Sequence, residues 1–161
     1  MTVRDIHNDP EALTMTITAE FDAPIGRVWN LWENPRQLER WWGPPTYPAT
    51  FVEHDLSPGG RISYFMTGPE GDQPHGWWGV VSVDAPFQLE FENGFADESG
   101  VPDVKMPTMM IRVTLSEEPT GNTRMEIVTT FPSVEAMEQI IAMGMQEGLA
   151  GAMSQIDEIL A

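Results

Sequence analysis

The chain of 161 residues contains no cysteine. Disulfides, iron–sulfur clusters, thiolate zinc sites and a cysteine nucleophile are therefore excluded, and a fold without disulfides suits a reducing compartment such as the cytoplasm. Basic residues are scarce: 8 Lys and Arg stand against 25 Asp and Glu, a formal charge of −17. Such a surface repels phosphate backbones and anionic lipid, which argues against nucleic acid and membrane surfaces as partners and favours solubility. No stretch reaches the ~20 apolar residues of a membrane span, and the polar start from Met1 to Pro10 lacks the apolar core of a signal peptide.

Catalytic signatures are missing as well. There is no G-x-S-x-G elbow, no P-loop and no dinucleotide fingerprint, so no motif asks for a cofactor. The three histidines, His7, His54 and His75, make no metal-binding pair at helical spacing. Glu53, His54 and Asp55 are adjacent, but in a strand Glu53 and Asp55 point away from His54, so the three do not form one metal site. Glu90 and Glu92 share the polar face of a strand and read as solvated rather than as a general acid and base.

What is present is alternation. Leu13, Met15, Ile17, Ala19 and Phe21 interleave with Thr14, Thr16, Thr18 and Glu20, the period of two of a strand with one dry face. Pro24 suits the first turn of a helix that carries Val28, Trp29, Leu31 and Trp32 at helical spacing. Asn34-Pro35 breaks it, and Pro35 opens a second helix through Leu38, Trp41 and Trp42, ended by Gly43-Pro44-Pro45. Six strands follow, over 51–56, 61–66, 77–83, 88–92, 109–115 and 125–131, separated by turn residues and by a polar loop over 93–105. Clean alternation in so many strands means an antiparallel sheet that is dry on one face. Residues 134–160 supply its cover as one nearly continuous helix, capped by Ser133, with Ile141, Met145, Leu149, Ala152, Ile156 and Leu160 in one apolar stripe. Residues 1–12 read as a loose leader and 13–161 as a single α+β domain, which at this size buries roughly 68–70% of its unfolded surface without a metal or disulfide.

Six Trp and eleven Met are a heavy load for this length. Methionine is a flexible gap-filler that is over-used at adaptable binding surfaces. An ordinary core accounts for any one of these residues; as a set they make an apolar cavity between helix and sheet credible. Gly144, Gly148 and Gly151 fall inside the helical pattern, each costing about 1 kcal/mol relative to Ala. Gly144 and Gly148 stack on one side, where bare backbone means either close packing on the sheet or room left for something else.

Phe21-Asp22-Ala23-Pro24 with Val28-Trp29 and Trp32 resembles the entry motif of the START-like, or SRPBCC, superfamily. Trp41-Trp42-Gly43-Pro44, followed by Asp55-Leu56-Ser57-Pro58-Gly59-Gly60, is similar to the branch homologous to the activator of the 90-kDa heat-shock protein ATPase. Gly144-Met145-Gln146-Glu147-Gly148 through Gln155-Ile156-Asp157-Glu158-Ile159-Leu160 resembles that branch's terminal helix, so the likeness covers nearly everything from residue 13 onward. The resemblance implies a helix-grip fold, a curved sheet gripping a long C-terminal helix around a cavity. Members of the superfamily bind lipids, hormones and polyketides, and some are cyclases or aromatases. The co-chaperone role in the branch's name belongs to longer proteins with an additional N-terminal domain.

The leading expectation is a protein that binds an apolar or aromatic small molecule in a cavity walled by Trp32, Trp42, Tyr64, Met66, Trp77, Phe91, Met109, Ile141 and Met145. Strand phase places Tyr64, Met66, Phe91 and Met109 on the dry face. Two other readings stand beside it. One is a chaperone-interacting module that uses the acidic outer surface. The other is a cyclase- or hydrolase-like enzyme of the same fold, with Tyr64, His54 or Arg61 at the pocket mouth. The oligomeric state stays open, a homodimer included.

Overall fold

A computed structural model describes residues 2–161. Among these, eight strands form one antiparallel sheet in the order β1-β2-β8-β7-β6-β5-β4-β3. They are β1 (Thr2–Asp9), β2 (Thr14–Phe21), β3 (Ala49–His54), β4 (Arg61–Met66), β5 (His75–Asp84), β6 (Gln88–Ala96), β7 (Met109–Glu117) and β8 (Thr123–Thr130). From β3 to β8 each strand pairs with the next, and β2 closes onto β8. The crossover from β2 to the far edge strand β3 is carried by α1 (Ile25–Glu33) and α2 (Pro35–Leu38). This is the helix-grip architecture, with α3 (Val134–Ala142), α4 (Met145–Met153) and α5 (Ile156–Leu160) in the gripped position.

Alternation along the strands becomes rows across the sheet. Ile17, Ile127, Val113, Leu89 and Val83 stand opposite one another from β2 through β8, β7 and β6 to β5. The next row holds Met15, Thr129, Ile111, Phe91 and Val80. Beyond it come Met109, Asn93, Trp78 and Ile62, and then Phe95, Gly76, Tyr64 and Phe51. Cross-strand contacts on one face are what stabilise a sheet of this kind. Helix α1 lays Ile25, Val28, Trp29, Leu31 and Trp32 against the first rows, and a buried Thr123 hydroxyl donates to the Ala23 carbonyl at 2.7 Å to fix where that helix begins.

Three expectations need correction. Residues 2–9 of the supposed leader are a strand paired with β2, while Met1 lies outside the described residues. A bulge between Val3 and Asp5 puts Val3 and Ile6, three apart, against the core, which disrupts the period of two that would have marked the strand. The second helix ends at Leu38; Trp41 and Trp42 follow in a turn whose amides both reach back to the Leu38 carbonyl. The C-terminal helix is not continuous over 134–160. Gly144 adopts φ 93°, a left-handed conformation that ends α3 and starts α4 at a new angle, and a second break at Ser154–Gln155 separates α5. Leu149, Ala152 and Ile156 are buried, but in α3 Ile140 is the fully buried residue, and Ile141 is half-buried against the edge of the core.

Candidate functional site

The concave face is filled unevenly. Under α1 lies a packed aromatic cluster. Trp78 stacks on Phe91 at a ring separation of 4.1 Å, and Trp32 meets the edges of Trp41 and Trp42 at 4.8 and 5.9 Å. The Trp41 indole donates to the Leu31 carbonyl at 3.0 Å, which locks the turn after α2 under α1. Gln155 donates to the Gly43 carbonyl at 2.6 Å and so anchors the α4–α5 junction over that turn.

Further along the strands the filling stops. Between the sheet and α4 is a cavity of about 330 Å³, within the size range of ligand pockets. The sheet contributes Tyr64, Met66, Asn93, Phe95, Met109 and Ile111; the turn after α2 contributes Trp42, Pro44 and Tyr47. The roof is Ile140, Met143, Met145 and Leu149 with Gly144 and Gly148. A β-carbon built at Gly144 or Gly148 would meet no described atom within 4 Å beyond the adjoining backbone. The glycines therefore do not serve close helix–sheet packing. Gly144 supplies the left-handed turn, and Gly148 leaves space.

Of the described residues that line the cavity none is charged, and the polar groups gather in two places. At the mouth the Tyr47 hydroxyl donates to Asp72 at 2.9 Å, tying the turn after α2 to the β4–β5 loop. That bond to a carboxylate raises the Tyr47 pKa. Inside, Tyr64 lies over Gly76, where any β-carbon would collide with its hydroxyl. This lets the ring lean across β5, so that its hydroxyl donates to Asn93 Oδ1 at 3.5 Å. Burial raises the Tyr64 pKa, opposed by the nearby indole N–H groups of Trp42 and Trp78, although neither indole nitrogen completes a hydrogen bond. Tyr64 is thus held as a neutral phenol.

Of the expected wall, Trp42, Tyr64, Met66, Met109 and Met145 line this cavity. Trp32 and Phe91 do not; they are fully buried in the aromatic cluster beneath it. Trp77 lies on the opposite face of the sheet, across Gly94, and Trp78 takes the inward position. Ile140 lines the cavity in place of Ile141, which is half-buried against the core beside it. The Asn93, Phe95 and Ile111 positions went unnoticed, although a β6 extended by four residues and the phase of Met109 would have found them. Of the three polar candidates for the mouth, Tyr64 lines the cavity, whereas His54 and Arg61 do not. His54 Nε2 lies 3.0 Å from the Trp32 carbonyl, and Arg61 donates to the Gly100 carbonyl. Among the described residues no three His, Cys, Asp or Glu side chains are placed to hold a metal ion, and no helix is long and apolar enough to cross a membrane.

The family model described as activator of Hsp90 ATPase homolog 1-like protein matches residues 22–161. A crystal structure of a protein from Mycobacterium smegmatis is 47% identical, with a TM-score of 0.92 over 99% of this chain and 98% of that one. A solution structure of a protein from Arthrobacter aurescens is 50% identical, with a TM-score of 0.94 over 99% and 92% of the two chains. The AHSA1 protein from Silicibacter pomeroyi, at 17% identity, shares the fold with a TM-score of 0.73 over 91% and 96%. No curated protein matches the chain.

Proposed function

The chain belongs to the activator of Hsp90 ATPase homolog 1-like family, and from that premise we propose that it binds a small, mainly apolar molecule between the sheet and α4. The observation that carries this reading is a cavity with no charged residue among its described lining, roofed in part by methionines and by a Gly148 at which an added β-carbon would meet open space. A helix glycine without a close neighbour costs about 1 kcal/mol relative to Ala, and close packing does not account for it here. Flexible methionine side chains suit a wall that must fit an occupant. The roof is held from both ends: the Asn8 amide donates to Gln146 Oε1 at 3.1 Å at the start of α4, and Gln155 donates to the Gly43 carbonyl at its end.

Titration with the neutral fluorophore N-phenyl-1-naphthylamine tests this. Saturable uptake at one probe per chain is expected, with blue-shifted emission. Gly148→Leu, which extends a side chain into the space, should abolish it. Non-saturating uptake, or uptake that is the same in the variant, would refute the reading.

A further inference from the structure

We propose that Tyr64 and Asn93 form a recognition site for an uncharged acceptor oxygen at one end of the cavity, so that the molecule bound is a neutral, largely apolar compound bearing a carbonyl group; this rests on the ligand-binding reading above and adds the chemical class. Both side chains are more than nine-tenths buried, at 8% and 9% exposure, and both line the cavity. Their mutual contact leaves hydrogens to spare. The 3.5 Å from the Tyr64 hydroxyl to Asn93 Oδ1 is long for an O–H···O bond, which is usually 2.5–3.0 Å, so the phenol proton is weakly engaged. Among the described residues the Asn93 side chain bonds only through Oδ1, which leaves its N–H₂ without a partner, and the indole N–H groups of Trp42 and Trp78 stand near the phenol oxygen without completing a bond. Two donors therefore meet in an otherwise apolar wall, the arrangement by which pockets orient a ligand.

The same geometry discriminates by charge. Among the described residues no lysine or arginine lines the cavity to pair with a carboxylate or phosphate, and an unpaired ion there would bear its full desolvation cost. An amine would face the positive ends of O–H and N–H bonds. The other hydroxyl in the lining, that of Tyr47, is committed to Asp72. A smaller hollow of about 100 Å³ shares the Tyr64 and Asn93 walls and extends toward His75, whose ring nitrogen Nδ1 lies 2.8 Å from the Gln73 carbonyl.

The test uses a matched pair of probes, 6-propionyl-2-dimethylaminonaphthalene and its 6-propyl analogue, which lacks the carbonyl. Tyr64→Phe should weaken the ketone about tenfold, the order of one lost hydrogen bond with its partner left unmet. It should change the propyl analogue less than twofold, which also reports that the cavity is intact. Asn93→Leu should act in the same direction. Infrared spectra should show the carbonyl band of the ketone bound to wild type shifted down, as for a hydrogen-bonded carbonyl, and shifted back in Tyr64→Phe. Equal effects on both probes, or a carbonyl band at its apolar-solvent position in wild type, would overturn the acceptor site while leaving ligand binding intact. If neither probe binds wild type, ligand binding itself fails and the acceptor site fails with it.

Discussion

The two ends of the concave face are made from the same strands and end in opposite states. Under α1, rigid aromatic side chains fill the space: Trp32, Trp41, Trp78 and Phe91 are essentially inaccessible and meet at edge-to-face, tilted or stacked angles. Under α4, the lining includes four methionines, which adapt, and two glycines, which fill nothing. A strand such as β6 takes part in both, with Leu89 and Phe91 in the packed half and Asn93 and Phe95 in the hollow one. Strand pairing is not what separates the halves. The cover is: α1 presents two tryptophans to the sheet, whereas α4 presents Gly148. Hollowness here is a property of the helix laid over the sheet.

That contrast can be broken from the packed side first. Trp78→Ala removes a ring that touches Trp32, Trp42, Tyr64 and Phe91. The cost should be about 3–5 kcal/mol, the usual range for a large aromatic in a close-packed core. Chemical denaturation would measure it; a loss below about 1 kcal/mol would mean that this half is not tightly packed. At the hinge between the halves, Gly144→Ala forces a β-carbon into φ 93° and should cost about 1–2 kcal/mol. A stabilised variant would show that the α3–α4 turn relaxes to an ordinary helix.

The smallest effect concerns the polar spot. Burial holds the Tyr64 proton in the folded state beyond pH 10.0, the pH at which an ordinary tyrosine is half-ionised. Above that pH the unfolded state holds fewer protons than the folded one, so stability falls as pH rises. Below it the contribution is constant. Tyr64→Phe should therefore flatten the loss of stability above pH 10.0, measured as denaturant midpoints against wild type. An unchanged slope would place Tyr64 in contact with water.

The fold was largely legible because its signal is local. Arg61–Met66 alternates cleanly and is a strand over those same residues. The leader was misread because the bulge beside Val3 breaks the alternation. The long helix was misread because Gly144 looks like an unfavourable helical residue until its left-handed angle is seen; after it the phase resets, and the stripe drawn through Ile141 falls beside Ile140. The site was half legible for a related reason. Strand phase tells which face a residue occupies but not how far along the strand the packing stops. Tyr64, Met66 and Met109 share the inward face with Phe91, yet Phe91 lies a row deeper, against Trp78. In β5 even the face was ambiguous, because Trp77 and Trp78 are adjacent and Val80 and Val81 repeat the problem.

Gly148 is where the hollow under α4 is tested most directly. If the space beneath it is open, Gly148→Leu restores helix propensity, about 0.8 kcal/mol, without meeting the sheet. If α4 were packed down, the same leucine would overfill the core at a cost of typically 1–3 kcal/mol. The two cases differ in sign, so the denaturant midpoint of this one variant separates them. A midpoint equal to or above that of wild type, together with loss of N-phenyl-1-naphthylamine uptake, is the predicted result. A clearly lowered midpoint beside a wild type that takes up no probe would contradict it.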